Sequence, residues 1–108
     1  MAEQLQKIRT VDEYHEVLER AGPNLVVFFF YSNWSLMSQE IEKELIPIQY
    51  ELPDVNICKI DVDTNGEVSE AYSIRRMPTF VFIKQSKTLD RLSQPDIKTV
   101  NEYIDHFY

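Results

Sequence analysis

The sequence predicts an α/β domain whose strands and helices alternate in the order βαβαβαββα. Three observations carry that expectation. The run Leu25 to Tyr31, "LVVFFFY", is apolar at every position, as a central parallel strand covered by helices on both faces should be. Apolar residues at helical spacing precede and follow it. Near the end, "TFVFIK" and "TLDRL", joined by the turn "QSK", read as an antiparallel hairpin ahead of a last helix.

Taken in order, a short first strand is expected around Lys7 to Arg9. Thr10 stands where a helix N-cap accepts a backbone N–H, and Glu13, three residues on, closes a capping box. Val11, Tyr14, Val17, Leu18 and Ala21 share one face of the helix that follows, which Gly22 and Pro23 end. After the central strand, Ser35 to about Leu52 places Leu36, Met37, Ile41, Leu45, Ile48 and Leu52 at mainly helical spacing. Pro47 deletes one backbone hydrogen bond there and should bend the helix. "VNICKID" supplies a third strand. "TNGE" repeats the capping-box pattern, with Thr64 as cap and Glu67 reaching back, to open a short helix through Tyr72. Pro95 lies near the start of a last helix whose Ile97, Val100, Ile104 and Phe107 cover the sheet. Strand twist makes the βαβ crossovers right-handed.

A chain of 108 residues fits one domain, 1–108. With 44% hydrophobic and 27% charged residues it belongs among globular rather than disordered chains. The net charge of −7 opposes a phosphate-binding surface, so neither nucleic acid nor an anionic membrane is expected as a partner. The start "MAEQLQKIRT" lacks a signal peptide's apolar stretch, and Leu25 to Tyr31 is too short to cross a bilayer. A cytoplasmic location is expected, with the nucleus also open. One cysteine, Cys58, permits no internal disulfide and no multi-thiolate metal site; inside an apolar strand it reads as a small hydrophobe. Asp61, Asp63 and Asn65 fall at calcium-loop spacing, but no glutamate fills the loop's last position, so no metal is expected. No cofactor is implied either: Phe28, Phe30, Phe80 and Phe82 read as core.

The stretches "LVVFFFYSNWSLMS", "KIDVD" and "YSIRRMPTFVFIK", in that order and at those spacings, resemble thioredoxin over nearly the whole chain. The most specific pieces are the Trp34 turn after a hydrophobic strand and Met77-Pro78-Thr79, which is similar to the family's cis-proline loop. The resemblance implies the thioredoxin fold, a central five-stranded mixed sheet in the order 1-3-2-4-5 flanked by four helices. It also implies that the Trp34 turn and the Pro78 loop lie side by side at the start of the second helix, with a cis bond before Pro78 that proline permits at small cost.

Thioredoxin reduces disulfides with a Trp-Cys-Gly-Pro-Cys turn at a helix N-terminus. There, backbone N–H groups and the helix dipole lower the pKa of the attacking thiol, and a second thiol resolves the mixed disulfide. In this chain those two positions hold Ser35 and Ser38. A hydroxyl ionises far less readily than a thiol and forms no disulfide, so no reductase activity is expected. The serines read instead as helix caps. A serine nucleophile would need a base, and His15 and His106 fall in the first and last helices.

Further departures point the same way. Phe29 stands at the family's buried acid, Leu36-Met37 replaces the Gly-Pro between the cysteines, and no glycine follows Gly66. Lys59 keeps the position of the lysine often found opposite that acid, and reads as a strand residue with a solvated head. Blocking two thiols by engineering would leave the acid and the Gly-Pro in place. Natural loss is therefore favoured over the alternative, a protein-disulfide reductase whose cysteines were replaced by serine at positions 35 and 38.

A binding role remains. Trp34, Leu36, Met37, Met77 and Pro78 would border a groove for an extended polypeptide, because backbone groups beside a cis proline are free to pair with an added strand. The competing reading packs Leu36 and Met37 locally against Phe30 or Ile74. Arg75 and Arg76 border the loop and suit an acidic partner. A third reading is a scaffold role through the acidic helix face Glu40, Glu42, Glu44 and Glu51.

Overall fold

The computed structural model describes residues 4–108. Nine elements follow one another: β1 (Gln6–Ile8), α1 (Val11–Ala21), β2 (Val26–Tyr31), α2 (Leu36–Glu51), β3 (Asn56–Asp61), α3 (Gly66–Ala71), β4 (Thr79–Lys84), β5 (Lys87–Ser93) and α4 (Ile97–Phe107). The sheet runs β1-β3-β2-β4-β5, the order that the family resemblance implies. β1, β3 and β2 are parallel, and β4 and β5 continue antiparallel.

β2 is central because each of its residues has somewhere apolar to go. Val27, Phe29 and Tyr31 face Ile41 and Leu45 of α2 and Val100 and Ile104 of α4. Val26, Phe28 and Phe30 face Val17 and Ala21 of α1 and Val68 of α3. Side chains alternate across a strand, so a run apolar at every position needs a cover on both sides. Phe29 stacks on Phe80 of β4 with ring centroids 5.1 Å apart.

Thr10 caps α1 as expected, its Oγ1 accepting the Glu13 N–H at 3.1 Å. Glu13 reaches one residue further back than a capping box does, to the N–H of Arg9 at 2.6 Å, just outside the cap. α2 runs through Pro47 as one helix. At α3 the expected cap is corrected: Asn65, not Thr64, is the N-cap, and its side chain makes no capping bond. The Asn65 amide instead donates to the carbonyl of Ile8 at 3.1 Å, tying the end of β1 to the start of α3. A tertiary demand has taken the side chain that local chemistry would have used. The hairpin turn is also shorter than expected. Gln85 and Ser86 alone turn the chain at φ 52° and 62°, and Lys87 already belongs to β5. Two positive φ values suit the right-handed twist of the paired strands.

The Asn65 tie gives a direct test. Asn65→Ala orphans the Ile8 carbonyl and should lower unfolding stability by about 1–3 kcal/mol, whereas Thr64→Ala should change it by less than about 0.5 kcal/mol. Urea midpoints of the two variants separate the assignments, and the opposite ranking would restore Thr64 as the cap.

Candidate binding site

The site forms where β2 and β3 end together. Val62 N–H donates to the Tyr31 carbonyl at 3.0 Å. Asn33 Nδ2 donates to Asp61 Oδ2 at 3.2 Å, and Asp61 Oδ1 accepts the Asp63 N–H at 2.9 Å. Asp61 is thus a buried clamp between two strand ends. From the helix side, Gln39 Nε2 donates to the Asn33 carbonyl at 2.6 Å. The turn carrying Trp34 is held from both sides, while its indole is 71% exposed.

Ser35 is the N-cap of α2, its Oγ accepting the Ser38 N–H at 3.2 Å. The capping role expected of Ser35 is therefore the observed one. Ser38 is different: it is buried one turn into the helix, and its Oγ has no hydrogen-bond partner. Leu36 and Met37 lie in the first turn and are 67% and 50% exposed, outside the buried set of α2. The inward face of α2 begins at Ser38 and continues through Ile41 and Leu45.

The Met77–Pro78 bond is cis. Pro78 is buried and Met77 half-buried. The expectation of free backbone beside this proline needs correcting. Gln94 N–H donates to the Pro78 carbonyl at 2.7 Å, and Gln94 Nε2 to the Met77 carbonyl at 3.3 Å. Gln94 follows β5 directly, so the β4–β5 ladder continues past the strand ends into the loop.

Two hollows flank the loop in place of a single groove. On one side, a hollow of about 380 Å³ lies against Met77, with Val62, Ser69, Ile74 and Arg75. On the other, a groove of about 330 Å³ runs between α2 and the start of α4, lined by Met37, Ile41 and Pro78 with Glu40, Glu44 and Asp96. Trp34 lines neither hollow. The structure thus brings Met37 and Pro78 together, and places Met77 on the opposite side of the loop. Arg76 is exposed nearby, and its carbonyl accepts from Thr79 Oγ1.

The remaining candidates have structural roles. Lys59 does not have a solvated head: its Nζ pairs with Glu42 at 2.8 Å, with both side chains largely covered, and sits 5.4 Å from the centre of the Tyr31 ring. Glu42 is thereby removed from the acidic face drawn through Glu40, Glu44 and Glu51. Phe29, opposite Lys59 in the β2–β3 register, is fully buried. Cys58 is buried, and desolvation pushes its thiol up to about 12. His15 and His106 pack edge-on against their neighbours Tyr14 and Phe107 in α1 and α4, and α1 lies across the sheet from Ser35. Glu40 and Glu44 stood out in the sequence only as part of a charged face, and Asp96 carried no signal there. Their convergence depends on the crossing of α2 and α4.

Comparison with known proteins agrees with this geometry. The thioredoxin family profile matches residues 6–106. A thioredoxin of Geodia cydonium is 39% identical over 82 residues, covering 76% of this chain and 77% of that protein. Thioredoxin-1 of Drosophila melanogaster is 36% identical over 91 residues, covering 82% of this chain and 84% of the relative. The X-ray structure of Fasciola hepatica thioredoxin superposes with a TM-score of 0.93 at 30% identity, covering 96% of this chain and all of that one.

The two serines should respond oppositely to the same substitution. Ser38→Ala removes a buried hydroxyl that nothing satisfies and should raise stability by about 1 kcal/mol. Ser35→Ala removes a cap and should lower it by about 1 kcal/mol. Thermal or urea unfolding of each variant checks the signs, and equal effects would contradict the roles assigned.

Proposed function

Since this chain belongs to the thioredoxin family yet has hydroxyls at both exchange positions, we propose that it is a redox-inactive member that binds polypeptide through the Trp34 turn and the Met77–Pro78 loop. The observation that carries this reading is the start of α2. The Ser38 N–H, which would help stabilise a thiolate there, instead bonds the neutral Oγ of Ser35. The only sulfur that could ionise, Cys58, lies in a dry strand interior with its pKa raised to about 12. At neutral pH it supplies essentially no nucleophile.

The surface beside that helix start favours binding. Trp34, Leu36 and Met37 are three large apolar side chains within four consecutive residues, all at least half exposed. Scattered exposed hydrophobes need no explanation, but three so close in the chain, with Met37 lining a groove, are what interaction sites show. Trp in such a place supplies large contact area at low entropic cost, and Met adapts to varied partners.

Two measurements test the reading. With dithiothreitol as reductant, the protein should not accelerate insulin disulfide reduction above background, and catalytic turnover would overturn the redox-inactive assignment. On an array of random extended peptides, a subset should be retained, and Trp34→Ala should weaken retention by about thirtyfold, the weight of an interface hot spot worth ~2 kcal/mol. Retention unchanged in that variant would overturn the assignment of the surface.

A further inference from the structure

We infer that the segment this surface takes is apolar and carries lysine or arginine, seated in the groove between α2 and the start of α4. The inference rests on the polypeptide-binding reading above and adds the chemistry of the partner.

The groove has an apolar floor and an acidic rim. Met37, Ile41 and Pro78 supply the floor. Glu40 and Glu44, one helical turn apart, stand on the α2 wall, and Asp96 stands on the α4 wall. All three carboxylates are exposed. Asp96 Oδ1 caps α4, accepting from Thr99 N–H at 2.8 Å and Thr99 Oγ1 at 2.7 Å. Lys98 acts on Asp96 only from beyond ion-pair distance. Among the described residues the one ion pair is Lys59 with Glu42, so the three rim carboxylates face the groove without a cation.

Three carboxylates around a hollow make the local potential negative, which favours a cationic ligand. An apolar side chain fills the floor while a neighbouring cationic side chain meets the rim. In an extended segment successive residues point to opposite sides, so one residue can reach the floor while its neighbours lie over the walls. A second copy of this chain fits poorly, since it would bring its own net charge of −7 and the same acidic rim to the contact.

The test uses three fluorescein-labelled peptides of equal length, in which leucine alternates with lysine, glutamine or glutamate, and reads binding by anisotropy. The lysine peptide should bind about tenfold tighter than the glutamine peptide at low salt, and the advantage should fade at about 0.5 M salt. Glu40→Lys with Glu44→Lys should reverse the preference toward the glutamate peptide. Glu16→Lys with Glu19→Lys makes the same change of net charge on α1, across the sheet, and should leave the preference intact. Equal effects of the two double variants would overturn the inference, because they would reflect overall charge. So would a glutamine peptide bound as tightly as the lysine one, or a stable dimer in sedimentation that occludes the groove. Failure of the underlying reading looks different: if none of the peptides binds, both fall, whereas equal binding of all three that is lost in Trp34→Ala removes only the charge preference.

Discussion

The register of β2 between β3 and β4 is the constraint on which the rest depends. In most strands one buried face fixes the register, because a slip of one residue turns the apolar set outward. β2 has no such protection, since both of its faces are apolar and a slipped pairing would still bury hydrophobic side chains. The polar ends do the fixing. Asn56 N–H meets the Leu25 carbonyl at 2.9 Å at one end, and Val62 N–H meets the Tyr31 carbonyl at the other. The Asn33–Asp61 bond beyond it has no equivalent in a shifted pairing. These bonds also settle where α2 starts, and with it where Trp34 is displayed.

Around that fixed point the side chains form a consistent set for a turn without sulfur chemistry. A carboxylate at position 29 would have to be desolvated at considerable cost, and with no thiol to exchange protons it would have no use. Phe29 instead stacks between Tyr31 and Phe80. Lys59, across the strand from Phe29, therefore needs an anion from elsewhere, and Glu42 supplies it from α2. The ion pair links helix to sheet where a strand–strand charge pair would otherwise stand. Removing one partner of a mostly covered pair costs more than the pair itself contributes.

What the sequence made legible was whatever depends on periodicity and on strong local signals. The two-sided strand, the inward faces of α1 and α4, the Thr10 and Ser35 caps and the hairpin all follow from residue types at fixed spacing. Legibility failed where distant parts of the chain compete for one group. Asn65 could have capped α3, but the Ile8 carbonyl 57 positions away claims it. Gln94 looks like a surface residue until the chain folds and its N–H meets Pro78. Lys59 reads as solvated because Glu42 lies on a different element. The binding groove was hidden for the same reason: Glu40, Glu44 and Asp96 become neighbours only when α2 and α4 cross on one face of the sheet. The helical periodicity of Leu36 and Met37 misled in another way, since the covered position in the opening turn belongs to Ser38, a polar residue that an apolar pattern passes over.

The apolar surface at the start of α2 follows from where the helix is capped. Ser35 sets the first residue of α2, and in the opening turn that follows Ser38 takes the buried face while Leu36 and Met37 stand exposed. The cap thus fixes the turn in which Leu36 and Met37 are displayed. Burying a leucine or methionine fully contributes about 1.5–3 kcal/mol, and most of that is forgone here. Glycine and proline at the same two positions would forgo much less. The exchange of Gly-Pro for Leu-Met therefore adds apolar area at a place where folding cannot use it, and association with another chain can.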